Sequence, residues 1–184
     1  MRRRLFVAVA LDDATRAACA AVAQRLRATG FAARYLAPET YHVTVAFLGN
    51  VDEERIEELD ETLRRVARDA PGLTLPLARV GAFPSSQRPR IIWLGPATDV
   101  PAFGTLSGVV RSALVALGFT FDPHSDPHVT LARSDARCAL PLLAPPRDTE
   151  IQIETLTLYE SHTEPEGAHY DALASYPLRG AGEA

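Results

Sequence analysis

Tyr41-His42-Val43-Thr44-Val45-Ala46-Phe47-Leu48-Gly49 and Pro127-His128-Val129-Thr130-Leu131-Ala132-Arg133 carry one short pattern, His-x-Thr-x-Ala, twice in a 184-residue chain. Aliphatic and β-branched residues fill the intervening positions, which is the composition and alternation of a β-strand. Successive strand side chains point to opposite faces, so His42, Thr44 and Ala46 share one face, and His128, Thr130 and Ala132 share one face of the second. The valines and leucines between them turn the other way, onto a core. At about 3.3 Å of rise per residue, each histidine lies roughly 6–7 Å from its threonine.

The two motifs stand 86 positions apart (128 − 42), close to half the chain. Each is preceded, at some distance, by an amphipathic helix pattern. The first runs from an Asp12 or Asp13 cap to about Thr29, with Gly30 as its stop. The helix before the second motif spans about Val100 to Leu117. Between the motifs, Ile56, Leu59, Leu63 and Val66 form the apolar stripe of another helix, opened by Asp52, with acids in its first turns and arginines in its last. Leu5 to Leu11, Arg34 to Leu36, Leu73 to Val80, Arg90 to Leu94, Ile151 to Tyr159 and His169 to Leu178 read as strands. Residues 84–89, 122–126, 135–149 and 160–167 read as loops or turns. No glycine-rich phosphate loop joins a strand to a helix. The expected architecture is α+β: one domain over residues 1–184, of two lobes related by an old duplication, with two antiparallel sheets facing a central cleft and helices outside.

Composition narrows the chemistry. The formal charge of −4 argues against a surface that attracts nucleic acid everywhere, so any RNA binds in a local basic cleft. All 19 basic residues are arginine. Without lysine there is no lysyl-adenylate, no Schiff base and no P-loop lysine. Cys19 and Cys138 lack metal-ligand spacing, and a reducing, cytoplasmic setting is expected. Arg2-Arg3-Arg4 followed by the apolar run to Leu11 has the outline of a secretion signal, but the run is short and ends at Asp12-Asp13, so a buried first strand is the better reading. No stretch is long enough to span a membrane.

Two histidines and two hydroxyls around one cleft suit phosphoryl chemistry without a metal. Imidazole titrates near neutrality, so one ring can accept a proton while the other donates one. Hydrolysis of a phosphodiester needs a base for the attacking water and an acid for the departing oxygen, on opposite sides of phosphorus. Threonine hydroxyls can donate to the non-bridging oxygens. A zinc site built on His42, His128 and another histidine finds no supporting carboxylate or cysteine spacing.

The paired motifs resemble those of the 2H phosphoesterase superfamily, and more narrowly the RNA 2′,3′-cyclic phosphodiesterases, also called 2′-5′ RNA ligases. The resemblance extends to Arg4 through Val9, Gly81-Ala82-Phe83-Pro84, Arg88 through Gly95, and Leu158-Tyr159-Glu160-Ser161. It implies a bilobal fold, no cofactor or metal, and hydrolysis of a ribose 2′,3′-cyclic phosphate to a 2′-phosphate. It also implies His42 as general acid, His128 as general base, Thr44 and Thr130 as phosphate holders, and reverse 2′-5′ joining without ATP. The expected partners are RNA ends or nucleotides bearing a cyclic phosphate, with no membrane, no obligate protein partner and a monomeric state.

Phe47 and Arg133 each lie five residues after their histidine (47 − 42 and 133 − 128). Strict alternation turns both away from the cleft. A bulge or strand end there brings both to its rim, where a ring and a guanidinium can sandwich a nucleobase. His124, His162 and His169 read as exposed or structural. Arg88 and Arg90 read equally as phosphate contacts or as a solvated face. Two alternatives stand beside the RNA-end enzyme: a non-catalytic RNA- or nucleotide-binding module, and a phosphodiesterase on small cyclic nucleotides or 2′-5′ oligonucleotides.

Overall fold

The computed structural model describes residues 1–122, 126–135, 138–164 and 167–180. The chain begins with β1 (Arg2–Ala10), α1 (Asp13–Ala28), β2 (Arg34–Tyr35) and β3 (His42–Asp52). It continues through α2 (Ile56–Asp69), β4 (Leu73–Pro76), β5 (Arg79–Ser85), β6 (Arg88–Gly95) and α3 (Pro101–Ala116). It closes with β7 (Val129–Arg133), β8 (Glu150–Ile153), β9 (Thr155–Glu164) and β10 (Gly167–Pro177). Asp12 caps α1 by accepting the Thr15 N–H at 2.7 Å, and Gly30 after its end takes φ +78°, the left-handed conformation that glycine adopts without a Cβ penalty.

The larger sheet is antiparallel throughout, in the order β10-β9-β1-β3-β7-β6-β5, with β2 paired on β7. It consists of two halves that meet at one residue pair, Val43 opposite Val129. These are the middle residues of the two His-x-Thr motifs, so the motifs flank the seam. A second, two-stranded sheet pairs β4 with β8.

The helices lie on the faces away from the motif side chains. Val43, Val45, Val129 and Leu131 are buried with Leu59 and Leu63 of α2 and Phe103, Val110 and Leu114 of α3. At the other half, Leu26 of α1 packs with Phe31, Ile92 and Ala132. Cys19 sits inside the core, where burial pushes its thiol up to about 12, so it stays protonated and inert; Cys138 is exposed. Among the described residues, no helix is long and apolar enough to cross a membrane.

Three strand expectations change. Leu73 to Val80 is two strands in two sheets. The Leu77 N–H bonds the Thr149 carbonyl at 2.8 Å, whereas the next N–H, of Ala78, bonds the Gly95 carbonyl at 2.8 Å, so the chain changes partners between them. Ile151 to Tyr159 is likewise split at Glu154 into β8 and β9. Of the turn expected over 160–167, residues 160–164 belong to β9 and Gly167 opens β10. The apolar positions change parity at each break, from Leu75 and Leu77 to Val80 and from Ile151 and Ile153 to Leu156 and Leu158, but the sequence does not show which strands the two pieces pair with. His124 lies outside the described residues.

Candidate active site

Each motif histidine is tethered to its own chain. His42 Nδ1 lies 2.8 Å from the Thr40 carbonyl, and His128 Nδ1 lies 2.7 Å from the Asp126 carbonyl. A carbonyl only accepts, so both Nδ1 atoms carry the proton and donate it. Nε2 is then the basic nitrogen of each neutral ring. His42 Nε2 is 3.1 Å from Thr44 Oγ1. His42, Thr44, His128 and Thr130 all line one cavity of about 610 Å³.

Phe47 and Arg133 line the same cavity. The reason is a pair of matched β-bulges. In β3, Ala46 faces Val7 but Thr44 faces Ala8, which leaves Val45 as an extra residue. In β7, Ala132 faces Ile92 but Thr130 faces Trp93, which leaves Leu131 extra. Both strands bury two consecutive residues at these points, Val45-Ala46 and Leu131-Ala132. The added residue reverses the alternation, so the side chain three positions after each threonine returns to the cleft face. Each bulge carbonyl finds a donor outside the ladder: Arg111 Nε of α3 reaches Val45 O at 3.1 Å, and the Leu36 N–H reaches Leu131 O at 3.0 Å. Phe47 is 46% exposed, with the Arg4 guanidinium 4.7 Å from its ring centroid. Phe47 is therefore open toward solvent and covered on one face by Arg4.

The chain matches the family described as LigT-like phosphoesterase over residues 9–93. It is 31% identical over 156 residues to the RNA 2′,3′-cyclic phosphodiesterase of Escherichia coli, covering 83% of this chain and 85% of that one. The chain belongs to the LigT-like family of 2H phosphoesterases. The RNA 2′,3′-cyclic phosphodiesterase of Thermotoga maritima is 27% identical over 183 residues, covering 96% of both chains. The crystal structure of E. coli LigT complexed with 3′-AMP superposes with a TM-score of 0.81 at 30% identity, over 97% of this chain and 99% of that one.

In this LigT-like phosphoesterase each histidine is set in an aromatic frame. The ring of His42 lies 4.9 Å from Phe6 and meets Tyr170 edge-on at 5.2 Å. The ring of His128 meets Phe83 edge-on at 5.1 Å, with Trp93 at 6.4 Å. Burial in these frames pushes both imidazoles below their ordinary range. For His42 the Thr40 carbonyl opposes the fall and the charge of His128 adds to it. For His128 the Asp126 carbonyl and carboxylate oppose it, while Arg133 adds to it. An anion seated between the rings favours the imidazolium and reverses the direction.

Sequence reading missed the far wall. Tyr170 and Ser161, a cross-strand pair of β9 and β10, line the cavity, as do Arg4 and Arg34. Arg34 and Arg133 are opposed residues of β2 and β7, a like-charge pairing that a sheet disfavours without an anion nearby. Their gathering depends on pairings between segments remote in sequence. The signals available were Arg4 inside the family stretch and Tyr170 in an otherwise plain strand. Arg90 pairs with Asp135 outside the cavity, and Arg88 is exposed.

Proposed function

We propose that the protein hydrolyses RNA ends bearing a 2′,3′-cyclic phosphate to the 2′-phosphate, with no metal in the chemistry. The observation that carries this reading is the pair of tethered histidines, each with Nδ1 committed to a backbone carbonyl and Nε2 left for the same cavity. Neutral His128 takes a proton from water as the water oxygen attacks phosphorus. Protonated His42 gives its Nε2 proton to the 3′-oxygen as the P–O3′ bond breaks. The 3′-hydroxyl and the 2′-phosphate leave, and the two rings end with their protonation states exchanged. Thr44 and Thr130 donate to the non-bridging oxygens, whose charge must be held in the transition state.

If a 5′-hydroxyl replaces water, the same steps join two RNA ends by a 2′-5′ linkage, and the strained cyclic ester supplies the energy without ATP. Phe47 and Arg133 hold the terminal base between a ring and a guanidinium. The arginines Arg4, Arg34 and Arg133 favour RNA over a bare cyclic nucleotide, because they offer charge for the adjoining phosphates. The name of the E. coli relative and the 3′-AMP complex of LigT support a nucleotide end in this cavity. Both histidines come from one chain, so a monomer suffices, and two unpaired cysteines suit a reducing cytoplasm.

The test is turnover of a short RNA with a 2′,3′-cyclic phosphate end by wild type, His42→Ala and His128→Ala. Each substitution should lower kcat by about 10²–10⁴ while short RNA still binds. Unchanged turnover in either variant overturns the assignment, and a folded wild type that binds RNA without turnover identifies a binding module instead.

A further inference from the structure

On the hairpin formed by β9 and β10, His162 stands opposite His169, and Glu160 stands opposite Asp171. These four residues occupy neighbouring positions on one face. Ser161 and Tyr170, the intervening pair, occupy the other face and line the catalytic cavity. The two imidazoles stack at 4.6 Å with their planes 14° apart. His162 Nε2 lies 3.1 Å from Asp171 Oδ2 and 3.7 Å from Glu160 Oε2. That nitrogen is nevertheless shut off from solvent and, among the described residues, has no partner in hydrogen-bond geometry. A desolvated nitrogen lacking a hydrogen bond is costly. Here it faces a carboxylate oxygen at the separation of two ligands sharing one ion. Zn–N and Zn–O bonds of about 2.0–2.2 Å in a tetrahedron place neighbouring ligand atoms about 3.3 Å apart.

We propose that His162, His169 and Asp171 bind a divalent cation of the zinc class and clamp β9 to β10. One ligand atom from each of the three lies within 4.8 Å of the others, and rotation of the exposed His169 and Asp171 side chains brings them toward the half-buried His162. Glu160 is held by Arg3, whose Nε donates to Oε2 at 2.9 Å, which leaves the fourth position to water. Neutral imidazole and carboxylate are the donor set that zinc and its neighbours accept. The ion sits on the hairpin face away from His42 and His128, so it takes no part in proton transfer. It stiffens the wall from which Ser161 and Tyr170 meet the substrate. The site stands whether or not the cleft hydrolyses a cyclic phosphate.

Protein freed of metal with EDTA and desalted is titrated with Co²⁺, read by its visible absorption, and with Zn²⁺, read by the melting temperature. His42→Ala/His128→Ala in one chain should keep the stoichiometric Co²⁺ band and the Zn²⁺-dependent rise in Tm. His169→Ala and Asp171→Asn, both at exposed positions, should lose one equivalent or weaken it at least tenfold. Co²⁺ binding that survives in His169→Ala but vanishes in the double catalytic variant places the ion in the cleft and overturns the proposal. Absence of saturable binding in the folded wild type overturns it as well.

Discussion

Gly81 lies opposite Trp93 in the β5–β6 pair, and the indole covers its backbone. A Cβ built at Gly81 falls 2.5 Å from Trp93 Cη2 and 2.8 Å from Cε2, where ordinary contact begins at 3.4 Å. Trp93 Cζ2 lies nearer still, so Gly81→Ala requires the indole to withdraw by more than 0.9 Å (3.4 − 2.5). It cannot withdraw freely, because Phe83 lies 5.2 Å from its centroid and His128 lies 6.4 Å away. Overpacking of this kind costs about 1–3 kcal/mol. For a chain of 184 residues that corresponds to a loss of about 2–12 °C in Tm. The displaced ring borders His128, the proposed general base, and a misplacement of about 1 Å is worth roughly 10² in rate. Gly81→Ala should thus lower both Tm and kcat on a cyclic phosphate. Adding Trp93→Leu should return most of the lost stability without the activity, since the clash is gone but the frame of His128 is not restored. A Gly81→Ala protein with wild-type Tm and kcat refutes the account of this frame.

Four further outcomes follow from the same geometry. Both imidazoles titrate below their ordinary value in the free protein, so the bell of kcat/KM against pH should centre below about 6.5, and that of kcat should move upward once the phosphate anion is bound; a kcat/KM maximum above pH 8 contradicts this. The depressed folded-state values mean that the native protein holds fewer protons than the unfolded chain, so the stability linked to these two groups is complete above about pH 6.5 and is lost as pH falls through the folded values; Tm should decline there, and less steeply in His42→Ala/His128→Ala. Arg34→Ala should lower the salt dependence of RNA binding by about 0.7 in log–log slope while leaving KM for a mononucleotide cyclic phosphate nearly unchanged. Arg111→Met leaves the Val45 bulge carbonyl without its guanidinium donor, which should cost about 1–3 kcal/mol in a denaturant melt and raise KM for base-bearing substrates through Phe47.

The two histidine–threonine pairs of the cleft were legible because each motif holds its own local evidence: alternation, β-branching, and a histidine and threonine two positions apart. The helices α1, α2 and α3 were legible because an apolar stripe and a stop signal lie within each segment; a side-chain cap marks only α1, and α2 begins at Ile56 rather than at the expected Asp52, which ends β3. What stayed hidden depends on partners distant in sequence. Nothing in Leu73 to Val80 shows that Leu77 bonds to Thr149 and Ala78 to Gly95. The bulges at Val45 and Leu131, which return Phe47 and Arg133 to the cleft, arise from pairing with β1 and β6. Phe47 and Arg133 entered the sequence reading only on condition of such a bulge. Tyr170 and Arg34 needed the sheet order itself.

The most direct measurement is the identity of the product from a short RNA with a 2′,3′-cyclic phosphate end, incubated with wild-type protein in EDTA and resolved by phosphorus NMR. A 2′-phosphate formed at full rate in EDTA is the expected result, with His42 protonating the 3′-oxygen and no metal in the chemistry. A 3′-phosphate, or hydrolysis that stops in EDTA and returns with added metal, contradicts the central claim.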